Sequence, residues 1–537
     1  MEVLRGQQSS PGTAIGSLWL CQKSPTIKAR TAATIDQELA RFTKAKSTVE
    51  NKLQGLYLKA KKQMGEDEAS IFTMHKMLLD DPELSDKIQA TIAQGRVAAE
   101  DAVNQIGNKL ATTFAAMDDD YMKARAGDIK DVVNQLLANL AGEGPLVMPE
   151  GKVIVVASEL TPSLTLQLDK DKLLGIITSK GSINSHASIL ARTMNIPAIV
   201  ALDHEFTSED NGRTIAMDGN KGIVYLDPEE EVLRQLQEQR ADELAELASQ
   251  EELIGKPTVT QDGRSVELAA NIGQLSDLAL VEANDSEGIG LFRSEFLYLG
   301  RDTYPSEEEQ FAAYKSAAEA MKGKRVIIRT LDIGADKTAP YLDLEPEENP
   351  ALGLRAIRLC LQRPDIFKIQ LRAILRASAY GKVAIMFPMI IDQGEVRAAK
   401  NFLTEVKSSL AKEKIPYDPH IEVGIMIETP SAAILAEVLA QEVDFFSIGT
   451  NDLVQYVLAA DRQNSALSYL ARVNHPAVLR LIKHIIVAGH QAGIWVGLCG
   501  EAAGDLNLTE TFLGLGIDEL SVAPSKILPM RAFIRSL

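Results

Sequence analysis

The segment Gly175 to Val200, GIITSKGSINSHASILARTMNIPAIV, sets His186 just after a Gly/Ser loop, in the first turn of a helix expected to start near Ser185. Imidazole is a competent covalent nucleophile. Among the free N–H groups of a helix start it is poorly placed as a stable cation and well placed to carry a phosphoryl group, whose charge those N–H groups favour. A capping or packing role is the ordinary reading for one of seven histidines, so the case depends on what else the chain carries. Arg293 in GLFRSEF, Arg329 in IIRTLDIGADK, Arg355 in GLRAIR and Arg462 in AADRQN offer forked donors that suit carboxylate and phosphate. Glu428 in IMIETP and Asp452 in GTNDL each follow an apolar run. Two such carboxylates beside phosphate-binding arginines describe a Mg2+ site completed by substrate and water. Cys499 in VGLCGE is either a buried packing residue or a small thiol that acts as an acid near the substrate.

Those groups need elements to bring them together. Beyond Pro257, eight strand-like runs follow in order: Val266 to Ala270, Gly290 to Phe292, Arg325 to Ile328, Val383 to Phe387, Glu422 to Ile427, Val443 to Ile448, Trp495 to Leu498, and Glu519 to Val522. Most are separated by helix-like segments. Eight β/α units in about 280 residues match a TIM barrel, whose chemistry sits at the carboxyl ends of its strands. Asn271, Arg293, Arg329, Glu428, Asn451 with Asp452, and Cys499 follow those runs. Glu428 and Asp452 end successive strands in this reading, so their carboxylates should approach each other. A substrate bearing both carboxylate and phosphate, as phosphoenolpyruvate does, fits such a mouth.

Upstream, residues 26 to 142 are proline-poor, with apolar residues such as Ile71, Phe72, Met74, Met77 and Leu78 at helical spacing, and read as a unit of several helices. Short β-rich runs at Lys152 to Ser158, Gly175 to Ser179, Ala198 to Leu202, Arg213 to Asp218 and Ile223 to Leu226 describe a compact α/β domain. A further strand near Ala14 to Cys21 would make the helical unit an insertion into it. The expected domains are therefore 1–25 with 143–228, the inserted 26–142, a charged, leucine-spaced linker helix over 229–256, and a barrel over 257–537.

Composition narrows the class. The 537 residues, 45% hydrophobic and 24% charged, are those of a globular chain. Net charge is −18, from 56 Lys+Arg and 74 Asp+Glu, which repels a phosphate backbone and argues against nucleic-acid or anionic-membrane binding. Three dispersed cysteines, Cys21, Cys360 and Cys499, give neither a disulfide framework nor a zinc pattern. With no signal-peptide core and no long apolar stretch, the expectation is a cytoplasmic protein without membrane insertion.

SPGTAIG, IFTMHKMLLDDPEL, DDDYMKARAGDIKDV, GSINSHASILARTMNIPAI, EGIGLFRSEFLYL, RTLDIGADK, ENPALGLRAIR, GIMIETPSA, DFFSIGTNDLVQY and GLCGEAAGD occur in this order along nearly the whole chain. In this it resembles the Enzyme I family of the bacterial phosphotransferase system, the phosphoenolpyruvate-protein phosphotransferases. The resemblance implies a swivelling phosphohistidine α/β domain with an inserted helical subdomain, a linker helix and a TIM (β/α)8 barrel. It implies that His186 takes the phosphoryl group of phosphoenolpyruvate and passes it to the phosphocarrier HPr, releasing pyruvate, as the first step of sugar uptake. Glu428 and Asp452 would hold Mg2+. Arg293, Arg329, Asn451, Asp452 and Arg462 would bind phosphoenolpyruvate, assisted by Lys337 and Arg355. Cys499 would protonate the enolate, and Thr165 would hydrogen-bond the histidine. The helical subdomain would dock HPr through Met77, Leu78 and Leu79 and the polar Glu66, Glu83 and Arg125, with His75 a local hydrogen-bonding residue. The barrel would form a homodimer.

Two features depart from the family pattern: Ala187 follows the histidine where Thr is frequent, and the chain ends at Leu537 where relatives commonly continue through another helical stretch. A dikinase or phosphoenolpyruvate synthase would need a large ATP-binding domain, for which the residues before Lys152 are too few and too helical. A nitrogen-system paralogue would carry an added N-terminal sensory domain. A silent regulator should have lost at least one of His186, Arg293, Arg329, Glu428, Asp452 and Cys499.

Overall fold

The structure, a computed structural model, describes residues 1–537 apart from 22–32, 64–65, 117–119, 143, 145, 183–184, 195, 300, 302, 335–338, 463, 468 and 471. Side chains at 62, 63, 66–68, 70, 120–124, 186, 189, 193, 340 and 465 also lie outside the description. The chain divides into two compact units, Met1–Leu247 and Ala248–Leu537.

The first unit opens with β1 (Glu2–Arg5), β2 (Gln7–Ser10) and β3 (Thr13–Leu20), then runs through helices α1 (Ile35–Gln63), α2 (Glu66–Asp80), α3 (Ser85–Gly95), α4 (Ala99–Ala115) and α5 (Asp120–Leu140). It returns through β4 (Val153–Ala157), α6 (Pro162–Thr165), β5 (Leu173–Thr178), α7 (His186–Thr193), β6 (Ala198–Val200), β7 (Thr214–Asp218) and β8 (Ile223–Leu226) to the long α8 (Glu230–Glu251). One eight-stranded sheet, in the order β1-β8-β7-β3-β4-β5-β6-β2, holds these eight strands. Because β3 and β4 are parallel neighbours from Ser17↔Val153 to Leu20↔Val156, the helices leave and re-enter the sheet at adjacent strands and are an insertion.

Strand β4, VIVVA, is buried at every position, as an inner parallel strand covered on both faces must be. Ile154 and Val156 pack on one side with Leu18, Ile199 and Met217, and Val153 and Val155 on the other with Leu160, Ile176 and Leu190. Helix α7 lies on that second face through Ala187, Leu190 and Ala191, the i, i+3, i+4 spacing that builds one helical stripe. That packing sets His186 at the start of the helix. The helical insertion has its own core, including Phe42, Leu53, Phe72, Ile88, Val103 and Leu136.

Helix α8 is tied back to the sheet at the SPGTAIG motif: Thr13 donates from its backbone N to Glu243 at 2.8 Å and from its hydroxyl at 3.0 Å. The division between the two units falls inside this helix, after Leu247.

The second unit is a closed parallel barrel of β9 (Glu267–Ile272), β10 (Gly288–Arg293), β11 (Arg325–Arg329), β12 (Val383–Phe387), β13 (Glu422–Ile427), β14 (Phe445–Ile448), β15 (Trp495–Leu498) and β16 (Glu519–Val522), with β16 pairing β9 to close it. All eight expected runs are barrel strands. Alternation along each strand sends one set of side chains outward against the helices and the other inward. Leu268, Ile328, Ile385, Ile425 and Leu520 join the outer core, while Leu291, Ile327, Met386, Met426, Phe445 and Cys499 fill the interior. Small residues interleave with large ones there, for a Cβ on Gly424 would meet the Phe445 ring at 2.4 Å. Among the described residues no helix is long and apolar enough to cross a membrane.

In the first unit α4 packs on α5 so closely that a Cβ on Gly107 would stand 2.4 Å from Val133 Cγ2. Gly107→Ala is therefore expected to destabilise the helical insertion by about 1–3 kcal/mol, with Gly107→Ala/Val133→Ala recovering most of the loss in denaturant titrations of the full chain.

Candidate active site

The carboxyl ends of the barrel strands gather the predicted groups. Arg293 closes β10, is exposed, and stands with its guanidinium carbon 5.1 Å from the centre of the Phe296 ring. Arg329 closes β11 but is buried, paired with Glu295 at 2.5 Å and Asp332 at 3.1 Å. Arg355, also buried, forks onto both oxygens of the same Asp332 at 2.8 and 3.0 Å and lies 3.7 Å from Asp452. Arg462 is exposed, with its guanidinium 3.9 Å from Asp452. Lys337 lies outside the described residues.

Glu428 directly follows β13 and is 1% exposed, accepting the Met389 backbone N–H at 2.7 Å. Asp452 differs from expectation in placement. It belongs to the first turn of the helix Thr450–Leu458 rather than to a strand end, because the chain turns into helix directly after Gly449. Asp452 nonetheless acts on the Glu428 carboxyl by its charge. Burial, then the neighbouring Asp452 and Asp332, push the Glu428 carboxyl up to about 8, against the pull of Arg329 and Arg355. One oxygen of Asp452, Oδ1, accepts no hydrogen bond among the described residues. Two buried, mutually repelling carboxylates, one with an oxygen that accepts no hydrogen bond, suit a divalent cation. Among the described residues no cluster of three or more His, Cys, Asp or Glu could hold a metal, so the protein would supply two ligands and leave the rest to substrate and water, the pattern of Mg2+.

Asn451 exchanges two contacts with Glu501, accepting its backbone N–H at 3.1 Å and facing its carboxylate at 3.4 Å. Cys499 follows β15 and is buried against Leu291, Ile327 and Met426. Burial pushes its thiol up to about 12, opposed by the Ser447 hydroxyl. Asn271 on β9 holds the loop by donating to the Cys499 and Ser521 carbonyls at 3.0 and 2.9 Å.

Asp332 and Glu295 were missed as site residues, although both lie in quoted motifs: each is an acid within three positions of an arginine, in RTLD and FRSE. The spacing is visible, but it does not reveal that Asp332 serves a second arginine 23 residues on.

In the first unit, His186 is the first residue of α7 and its side chain lies outside the description. Ala187 faces inward, buried with Leu160 and Ile176. The Thr165 hydroxyl donates to the Thr161 carbonyl at 2.9 Å. On α2, Met77 is 69% exposed and Leu78 partly buried. Leu79 corrects the expectation of an apolar docking contact: it is 1% exposed and packed into the helical core, since adjacent positions on a helix point some 100° apart. Glu83 is exposed and paired with Lys87, and Arg125 touches the Met74 sulfur at 3.8 Å. The Glu66 side chain lies outside the description. His75 is fully buried, with Nε2 3.2 Å from Asp128 and Nδ1 3.8 Å from Asp131.

A barrel whose mouth pairs buried guanidiniums with two carboxylates defines a site for a small anion carrying phosphate and carboxylate. Residues 5–125, 149–222 and 247–537 match, in turn, the N-terminal, mobile and PEP-binding domains of PEP-utilising enzymes, which is the class the fold and site define. The chain is 46% identical to the phosphoenolpyruvate-protein phosphotransferase of Staphylococcus carnosus (strain TM300), over 99% of this chain and 94% of that one. It is 44% identical to the one from Bacillus subtilis (strain 168), over 100% and 95%. A solution structure of Enzyme I (nEIt) aligns with 44% of this chain and 98% of its own at 33% identity, with a TM-score of 0.37. The chain belongs to the phosphoenolpyruvate-protein phosphotransferase family.

All three cysteines are buried thiols outside any disulfide. Alkylation at pH 8 is expected to be slow in the folded protein and to reach three thiols only in denaturant, because Cys499 is both inaccessible and, with its thiol pushed up to about 12, almost wholly protonated; mass spectrometry after timed labelling checks it.

Proposed function

We propose that this enzyme transfers the phosphoryl group of phosphoenolpyruvate to its own His186 and then to the histidine of the phosphocarrier HPr, releasing pyruvate, as the first step of a sugar phosphotransferase system. The observation that carries the reading is the sharing of Asp332 by Arg329 and Arg355 beside the Glu428–Asp452 pair. Two guanidiniums are thereby fixed before substrate arrives, which lowers the ordering cost of binding a doubly anionic ligand.

In this mechanism Arg293, Arg329, Arg355, Arg462 and Asn451 orient phosphoenolpyruvate, with Lys337 assisting. Glu428 and Asp452 would hold Mg2+, which when bound supplies positive charge to the phosphate and the developing enolate. An imidazole nitrogen of His186 attacks phosphorus, the bond from phosphorus to the enol oxygen breaks, and the methylene carbon takes the Cys499 proton to give pyruvate. Thr165 would orient the histidine. Because His186 and the barrel belong to different units, the histidine domain must visit the barrel and the carrier in turn, with α8 as the hinge region.

Docking of HPr is assigned to the helical subdomain, through Met77 and Leu78 with Glu66, Glu83 and Arg125. An acidic docking partner steers a carrier that is basic around its own histidine, and this raises the encounter rate more than the affinity. A homodimer through the barrel is supported by exposed Ile434, Val438 and Val487, at 62%, 42% and 41%, on helices bridged by the His484–Glu437 contact of 3.7 Å.

Incubation with phosphoenolpyruvate and Mg2+, without nucleotide, is expected to give one acid-labile phosphoryl group that maps to His186 by intact-mass and peptide analysis and moves to added HPr. His186→Ala should abolish the adduct and leave phosphoenolpyruvate binding largely intact in calorimetry; equal loss of both would contradict the division of labour. Cys499→Ala is expected to preserve binding and slow pyruvate release by about 100-fold, the usual scale of a lost general acid.

A further inference from the structure

Between β11 and the helix Ile357–Gln362, the chain from Asp343 to Ala356 forms no strand and no helix beyond the single turn Pro350–Leu352, yet it delivers Arg355 to the buried mouth. A segment without a hydrogen-bonded ladder of its own has to be held by side chains. The Glu347 carboxylate accepts the Leu354 N–H at 2.9 and 3.2 Å, and Gly353 makes room for it, since a Cβ there would overlap the carboxylate. The Arg358 guanidinium donates to the Leu352 and Gly353 carbonyls at 2.9 and 3.0 Å. From the helix Thr450–Leu458, the Tyr456 hydroxyl donates to the Ala351 carbonyl at 2.5 Å. The segment ends on Ala356, which is buried with φ at +53°. Such a backbone persists in a residue other than glycine only where its surroundings fix it.

Arg355 uses its nitrogens unequally. Asp332 takes Nε at 3.2 Å and Nη2 at 2.8 and 3.0 Å. Nη1 is left on the side of Asp452, 3.7 Å from Oδ1, and donates to the Tyr456 hydroxyl at 3.4 Å. Arg462 also stands 3.9 Å from that Asp452 oxygen. Both guanidiniums thus stop short of hydrogen-bond distance, and Oδ1 accepts no hydrogen bond among the described residues. Attraction between opposite charges is strong where water is scarce, so an arginine this close to a buried carboxylate closes on it unless other contacts hold it back. For Arg355 those contacts are Asp332 on one edge and Tyr456 on the other. Tyr456 lies about one helical turn after Asp452, so the hydroxyl that holds Arg355 is carried by the same helix as the carboxylate it is held from.

We propose that Tyr456 is a positioning residue that keeps Nη1 of Arg355 available to the substrate and off Oδ1 of Asp452, so that this oxygen stays open to the metal. The proposal rests on Arg355 binding phosphoenolpyruvate and on Asp452 holding Mg2+. One hydroxyl serves two partners, its proton going to the Ala351 carbonyl and its oxygen accepting from Arg355. It thereby sets the Arg355 segment in register with the Asp452 helix. Without it the Ala351 carbonyl loses its donor, and Nη1 closes the short remaining distance to Oδ1. Arg355 and Asp452 then form an internal ion pair, which binding of either phosphoenolpyruvate or Mg2+ has to break. Tyr456 touches no reacting atom in this scheme, so its loss weakens binding and spares the chemical step.

Calorimetry on the full chain carrying His186→Ala, which cannot turn over, reads binding alone. Adding Tyr456→Phe, which keeps the ring and removes one oxygen, should weaken phosphoenolpyruvate about tenfold, the scale of one hydrogen bond to a charged group. The Mg2+ concentration that gives half-maximal phosphoenolpyruvate binding should rise as well. With His186 intact, Tyr456→Phe should raise KM by a similar factor and leave kcat within about twofold, the pattern of lost binding rather than lost chemistry. Unchanged affinity for both ligands overturns the proposal. So does a fall in kcat with KM unchanged, which is what a general loosening of the mouth would produce. Arg355→Lys in the calorimetric assay distinguishes the two levels: parental phosphoenolpyruvate affinity there sinks the reading of Arg355 as a substrate ligand, whereas weak binding beside an unaffected Tyr456→Phe sinks only the positioning role. In the double variant the two losses should fall well short of adding, as they do for residues in contact; full additivity would show Tyr456 acting independently of Arg355 and overturn the proposal.

Discussion

Asp332 holds two guanidiniums, Arg329 at 3.1 Å and Arg355 through both of its oxygens, and all three side chains are buried. A buried charge is tolerable only when paired and hydrogen-bonded, so the placement of this one carboxylate fixes where the arginines can be. With Glu295 on the far side of Arg329, the arginines are charged, oriented and already desolvated. The strands impose this arrangement: Arg329 is the last residue of β11 and Asp332 lies three residues beyond it, while Arg355 enters from the segment before the next helix.

The opposing carboxylates carry the complementary strain. Glu428 and Asp452 are both nearly inaccessible and repel one another, so Glu428 is pushed toward the neutral form. Such repulsion destabilises a mouth without a cation and favours one that receives it. The arginines are thus paired with protein acids, and in the proposed mechanism Mg2+ would offset the repulsion between the two carboxylates.

The barrel interior repeats the theme at its other end, where Arg325 is surrounded by Glu267 and Glu422 and stacked on Trp495. Between the two charged ends lies an apolar stretch that includes Ile327, Met426 and Phe445. Cys499 sits at the upper edge of that stretch, and its weak acidity follows directly from burial. In the other unit, the proposed phosphoryl transfer depends on a helix start: Ala187, Leu190 and Ala191 anchor α7 to the sheet, which sets where the chain places His186.

Strand and helix content, the eight barrel units and the inserted helices were legible in the residues, and so was the placement of Arg293, Arg329, Glu428 and Cys499 at barrel strand ends, because periodicity and strand-end placement are local properties. The position of Asp452 in a helical turn was not, since the same residues serve equally well to end a strand or begin a helix. Nor was the burial of Leu79 beside exposed Met77, which depends on how α2 is rotated against its neighbours. Asp332 stands out least in the sequence, where it is one acid among 74. Its significance comes from the partners that the fold gives it. By itself the sequence determined which elements form and which chemical groups the chain possesses. Only the tertiary structure decided which charges share a partner, which stay unpaired, and therefore which protons are held, because those energies depend on distance and burial between residues far apart in the chain.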